Sequence, residues 1–233
     1  MKAIIMAAGS ANRWGNYLGV PKQLIKINGE PLLHRTIRLL RENGVKDIIV
    51  TVPKKGYFGD IGVEEVEGVS GCEVDKFLNA KQYSGGIFIW GDCYFTESAI
   101  KKIVSNKKDL MFFGRRGASK ITGKRCGELF AVKTNNEFFK KAEEIKKHKE
   151  KMRRCASWEL YTYITEGVIP YKNFRKYVKG GVGKRFVHID DETDDFDYPR
   201  DYDRWIKNCT LDKKKTKTLG RKFKLVNGEI VPK

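Results

Sequence analysis

The amino-acid sequence predicts an α/β fold, a mostly parallel mixed sheet flanked by helices, and three observations carry that prediction. Short apolar or β-branched runs recur at residues 3–7, 46–52 and 86–90, each long enough for a buried strand. Residues 32–43 separate the first two runs, with Leu32, Leu33, Ile37, Leu39 and Leu40 at helical spacing and Asn43-Gly44 as a stop. Strand, helix and strand in that order, with about a dozen helical residues between, form a right-handed βαβ unit.

The remaining elements follow along the chain. Residues 24–27 read as a brief strand and Asn28-Gly29-Glu30-Pro31 as a turn. Residues 54–80 hold five glycines and little apolar pattern, and are expected as loop with one short strand near 73–77. Thr96 is placed to cap a helix over residues 97–105, with Glu97 in its first turn. Residues 110–113 and 128–133 read as strands, residues 135–155 as one long basic helix and residues 158–165 as a helical continuation. Residues 186–189 read as a last buried strand, and residues 199–207 as a helix. The chain ends in alternation around Asn227-Gly228, the pattern of a hairpin. One main domain over residues 1–210 is expected, with residues 211–233 a basic extension carrying the hairpin against it.

Composition narrows the function classes. No apolar run is long enough for a membrane span. The five cysteines are scattered, with no Cys-x-x-Cys, which argues for reduced thiols in the cytoplasm and against a zinc site or disulfide framework. The formal charge of +18 among 233 residues implies anionic partners without choosing among them.

The first loop is the sharpest motif. After residues 3–7 the side chains shrink to Ala7, Ala8, Gly9, Ser10 and Ala11, so backbone N–H groups can approach an anion. Arg13 and Lys22 stand ready to add charge to the same phosphates. Asp92 follows a buried strand and a glycine, which gives it a clear line to the carboxyl end of the sheet, where α/β folds bind ligands. Residues 190–201 hold seven carboxylates, a density that favours a divalent cation in a protein otherwise basic. The bland readings are a tight turn with surface cations, a helix-capping Asp and a solvated acidic loop.

Three stretches, AAGSANRWG with PKQL, IWGDCYF, and FDYPRDY, resemble the motifs of nucleotidyltransferases with a GT-A-like Rossmann fold. Those enzymes include sugar-1-phosphate nucleotidyltransferases, cytidylyltransferases and molybdenum cofactor guanylyltransferases. The resemblance implies that Ala7, Ala8, Gly9, Ser10, Ala11, Arg13, Lys22 and Asp92 contact a nucleoside triphosphate, with Arg13 and Lys22 catalytic. It implies Mg²⁺ held by Asp92 and Asp197, with Asp194 or Asp195 as substitute ligand and Asp201 in the first turn of a helix. On the acceptor side it suggests Glu128, and Lys179 and Lys184 are weaker candidates for an acceptor phosphate. Ala11 stands where a second glycine is common in these enzymes, and the base-reading region downstream is short.

The resulting expectation is an NMP transfer from an NTP to a phosphorylated sugar or polyol, releasing pyrophosphate, in a cytoplasmic enzyme for which a homodimer is open. Trp158 and His188 are expected as core residues rather than ligands. Two rival readings fit parts of the sequence. A GT-A glycosyltransferase would need an Asp-x-Asp motif after the central strand, and Asp92-Cys93-Tyr94 lacks it. A non-catalytic nucleic-acid-binding protein fits the charge, but the sequence shows no known nucleic-acid module.

Overall fold

The computed structural model describes residues 1–69, 71–152, 154–169 and 185–209, and the backbone of residues 223–226 and 229–232. Its frame is a seven-stranded sheet. The chain-order strands are β1 (Lys2–Met6), β2 (Lys26–Ile27), β3 (Glu30–Pro31), β4 (Asp47–Val52), β5 (Glu64–Glu67), β6 (Ile87–Trp90), β7 (Cys93–Tyr94), β8 (Met111–Arg115), β9 (Glu128–Lys133), β10 (Phe186–His188), β11 (Asp194–Asp195), β12 (Phe223–Val226) and β13 (Glu229–Pro232). The main sheet runs β10-β8-β9-β6-β1-β4-β5. All its pairings are parallel except those of β9, which lies antiparallel to both β6 and β8.

Central β1 reads Lys-Ala-Ile-Ile-Met, and Ile4 sits in register with Ile49 on one side and Phe88 on the other. Its alternate side chains enter different layers. Ala3 and Ile5 join α1 (Leu32–Glu42) and α3 (Glu97–Ser105) through Leu33, Ile37, Leu40, Ile100 and Ile103. Ile4 joins α2 (Glu73–Asn79), α4 (Asn136–Lys146) and α5 (Ser157–Glu166) through Phe77, Phe138, Ile145 and Tyr161. The expected cap of α3 is formed, Thr96 Oγ1 accepting from the Ala99 N–H at 3.0 Å, and at α4 Asn135 Oδ1 accepts from the Phe138 N–H at 3.1 Å.

A third apolar cluster lies off the sheet. It joins Trp14 of the first loop, Ile25, Ile27, Tyr94, Phe196, and Tyr202 and Trp205 of α6 (Pro199–Asn208). Trp14 is buried, and its indole N–H is shared by the carbonyls of Tyr17 at 3.1 Å and Val20 at 3.2 Å. This cluster fastens the first loop to the acidic run.

Four expectations need correction. Residues 73–77 are not a strand: they open α2, turning Val74 and Phe77 inward at helical spacing, while the strand is β5 at Glu64–Glu67. The long helix breaks after Lys146, runs through a 3₁₀ turn at Lys149–Lys151 and resumes as α5. His188 is exposed on the edge strand β10, with Nε2 4.0 Å from Asp190, rather than buried in the core. Finally, Cys72 and Cys155 are joined in a disulfide, with Cα atoms 5.5 Å apart across 83 residues of sequence. A contact so distant in sequence leaves no spacing pattern, and for that pair the expectation of reduced thiols fails. The strands of the expected terminal hairpin pair antiparallel as β12–β13, with Leu225 opposite Ile230, and the Asn227-Gly228 turn lies outside the described residues.

Candidate active site

The site is built at the carboxyl ends of β1 and β6. Gly91 continues β6 close against β1, its N–H donating to the Met6 carbonyl at 3.0 Å. A Cβ at this position would lie 2.9 Å from the Ala7 Cβ and 3.0 Å from the Met6 oxygen, so only glycine lets the chain turn there. The turn delivers Asp92. Its Oδ2 accepts from Lys22 Nζ at 2.5 Å. Lys22 lies in the 3₁₀ turn Lys22–Leu24 and is buried. Burial works against both charges, but each outweighs it for the other: Asp92 holds the Lys22 ammonium above its ordinary pKa, and Lys22 holds the Asp92 carboxyl below its own.

The loop between them is anchored at its start. The Ala7 N–H donates to the Thr51 carbonyl at 3.1 Å and to Thr51 Oγ1 at 3.2 Å, and Gln23 Nε2 donates to the Ala7 carbonyl at 3.3 Å. Ala11 takes the left-handed conformation, φ 49°, and its carbonyl accepts from Trp14 at 2.8 Å. That backbone is the one a glycine adopts freely, so the chain carries the turn with a strained alanine. On the far side, a Cβ at Gly68 would fall 2.5 Å from the Ala8 Cβ; the segment before α2 therefore lies directly against the loop.

The acidic run supplies the opposite wall. β11 pairs with β7, placing Asp195 across from Cys93, and the Phe196 N–H donates to the Asp92 carbonyl at 3.1 Å. Asp197 then takes a two-point bond from Arg13, at 3.0 Å and 2.6 Å. Asp194 is otherwise engaged: Arg115 at 3.0 Å, Ser119 at 2.6 Å and Thr122 at 2.8 Å hold both its oxygens. Asp195 is the open one. Its Oδ1 is buried with no hydrogen-bond partner among the described residues. Burial first, then the nearby Asp197 and Asp92, push its carboxyl up to about 7 despite Lys124.

Lys124 is the residue that sequence reasoning missed. Its ammonium bonds Asp195 and lies 3.6 Å from Asp197, 3.7 Å from Asp201 and 3.9 Å from Glu128. Burial opposes its charge, but these carboxylates raise its pKa. It sits in a polar stretch, Gly-Lys-Arg-Cys-Gly, with no periodic signal. Glu128, at the start of β9, is drawn into this cluster; burial and then Asp195 push its carboxyl well up. Asp201 also caps α6, accepting from the Tyr198 N–H at 2.9 Å. Trp158 is buried, donates to the Gly127 carbonyl at 3.2 Å and stacks on Phe186, as a core residue does. Lys179 and Lys184 lie outside the described residues.

The arrangement is a row of carboxylates, Asp92, Asp195 and Asp197, facing Lys22, Lys124 and Arg13 beside a small-residue loop. No group of three or more His, Cys, Asp or Glu among the described residues forms a protein-only metal cage. A magnesium-type ion asks for less, one or two carboxylates completed by phosphate oxygens and water, and the orphaned Asp195 oxygen suits a cation of that kind.

Several known proteins are similar to this chain. Residues 3–74 match the family described as the MobA-like NTP transferase domain, a stretch running from β1 to the start of α2. Over 145 residues the chain is 31% identical to a bifunctional sugar-1-phosphate nucleotidylyltransferase/acetyltransferase of Sulfurisphaera tokodaii, covering 58% of this chain and 35% of that protein. Over 54 residues it is 46% identical to a bifunctional IPC transferase and DIPP synthase of Thermococcus kodakarensis, 23% of this chain and 12% of that one. The matches thus span about a third or less of those curated relatives. Among solved structures, the CTP:phosphocholine cytidylyltransferase of Streptococcus pneumoniae superposes with a TM-score of 0.53 at 17% identity, over 88% of this chain and 97% of that one. The fold is the Rossmann-like fold of nucleotidyltransferases, as the sequence predicts.

Proposed function

We propose that this chain is a nucleotidyltransferase that moves an NMP unit from a nucleoside triphosphate to a phosphorylated small molecule, a sugar or polyol phosphate, releasing pyrophosphate. One observation carries the reading: the Lys22–Asp92 and Arg13–Asp197 pairs meet beside the Ala8-Gly9-Ser10 loop at the carboxyl end of the sheet. The S. tokodaii and S. pneumoniae proteins, by their names, act on phosphorylated acceptors, which supports the acceptor class.

In this reading the loop backbone holds the triphosphate, and Arg13 and Lys22 offset the charge on the α-phosphate and the departing pyrophosphate. An oxygen of the acceptor phosphate attacks the α-phosphorus in line. The new P–O bond forms as the bond to the bridging oxygen breaks, and pyrophosphate leaves with that electron pair. A phosphate dianion carries no proton that a base must remove, so positioning and charge supply the rate. Asp92, Asp195 and Asp197 would hold a divalent cation, Mg²⁺ by preference, whose charge neutralises phosphate oxygens when it is bound. Lys124 then bridges the carboxylate row to Glu128 on the acceptor side, with Lys179 and Lys184 as further acceptor candidates.

The test is a panel of the four NTPs against phosphorylated sugars and alcohols, with Mg²⁺ or with chelator, read as pyrophosphate. Release with at least one pair, lost on chelation, is expected; no release with any pair contradicts the reading.

A further inference from the structure

Helix α2 carries a cation that its own surroundings do not use. Its acids are all committed outward. Asp75 pairs with Lys146 at 2.9 Å and Lys149 at 3.1 Å, and Glu73 accepts from the Ser157 N–H at 2.6 Å. Cys72, at the helix N-cap, is bonded to Cys155. These ties fix α2 against α4 and α5. Lys76, a half-buried residue one turn in, joins none of them: its ammonium has no partner among the described residues. It is aimed at the first loop. A Cβ placed on Gly9 would lie 4.0 Å from Lys76 Nζ, the nearest atom that side chain space would meet.

An ammonium without a counter-charge is a ready partner for an anion in the Gly9 loop. Arg13 and Lys22 already spend their charge on Asp197 and Asp92. We propose that Lys76 is a further substrate-contacting residue, binding the β- or γ-phosphate of the triphosphate from the α2 side of the loop. The proposal rests on the nucleotidyltransferase reading and adds a residue to it. It also gives α2 its role: the Asp75, Glu73 and Cys72 ties hold the helix where that ammonium reaches the loop.

The experiment measures binding of each of the four NTPs and NMPs by calorimetry at two salt concentrations, for the wild-type chain, Lys76→Gln and Lys76→Arg. Lys76→Gln is expected to weaken NTP binding about tenfold, the scale of one charge-assisted contact, and to lower its salt dependence. NMP binding should change less than twofold, and Lys76→Arg should restore most of the NTP affinity. Circular dichroism and the melting temperature establish that each variant is folded. If the wild-type chain binds an NTP and Lys76→Gln binds it equally well, Lys76 has no such role while the enzymatic reading stands. Equal losses for NMP and NTP would likewise overturn it, since they mark a structural role. If the wild-type chain binds no NTP and releases no pyrophosphate, the enzymatic reading falls and Lys76 falls with it.

Discussion

Lys22 Nζ lies 2.5 Å from Asp92 Oδ2, joining two motifs that stand 70 residues apart in sequence. Lys22 is buried and Asp92 largely so, which makes the pair costly to break from one side. Lys22→Met leaves a desolvated carboxylate and is expected to destabilise by about 3 kcal/mol. Lys22→Met with Asp92→Leu should recover much of that loss, since the removal of both charges leaves none unpaired. A double-mutant cycle in urea gives the coupling; additive losses would show that the pair is not an interacting unit.

Lys124 neutralises Asp195 and sits among Asp197, Asp201 and Glu128. Lys124→Ala should therefore destabilise by about 3 kcal/mol, because the cluster loses its central cation. Added Mg²⁺ should raise the melting temperature of that variant more than it raises that of the wild type, as the carboxylates accept a replacement charge. Equal shifts in both proteins would count against a cation site at these residues.

Ala11 holds φ at 49° where glycine is at ease. Ala11→Gly should stabilise by roughly 0.5–1 kcal/mol, the relief of strain being partly offset by a more flexible unfolded chain. Ala11→Val should do the reverse by more than 1 kcal/mol, since a β-branched side chain resists that backbone. Chemical denaturation ranks the three; valine at parity with alanine would refute the strained geometry.

The Cys72–Cys155 bond closes 83 residues of chain. Reduction, or Cys72→Ser, should cost about 2–4 kcal/mol by freeing the unfolded state. The change is read as a drop in melting temperature with reductant, which Cys72→Ser should abolish. A wild-type melting temperature indifferent to reductant would contradict the bond.

Much of this site was legible because its parts are local. The small-residue loop, Gly91-Asp92 at a strand end and Asp197 before Pro199 are each readable from a few adjacent residues, and the fold brings them together. What stayed hidden depends on distant partners or on weak periodicity. β5 reads Glu-Glu-Val-Glu as an edge strand with exposed ends and a half-buried middle, so alternation never emerges. α2 has seven residues and turns just Val74 and Phe77 into the core, too few for a period. Lys124 is one lysine among many until Asp195, Asp197 and Asp201 surround it. Which carboxylate of the acidic run stays open was likewise unreadable, since Asp194 and Asp195 are adjacent in sequence. Only the pairing of β11 with β7 turns one toward Arg115 and the other toward the site.

The central claim is that Asp92, gripped by Lys22, belongs to an NTP-transferring centre. The most direct measurement is pyrophosphate release by wild-type and Asp92→Asn chains with the best NTP and phosphorylated acceptor from the panel, each checked for folding. A wild-type rate that falls at least a hundredfold in Asp92→Asn is the predicted result. Turnover unchanged in that variant would contradict it.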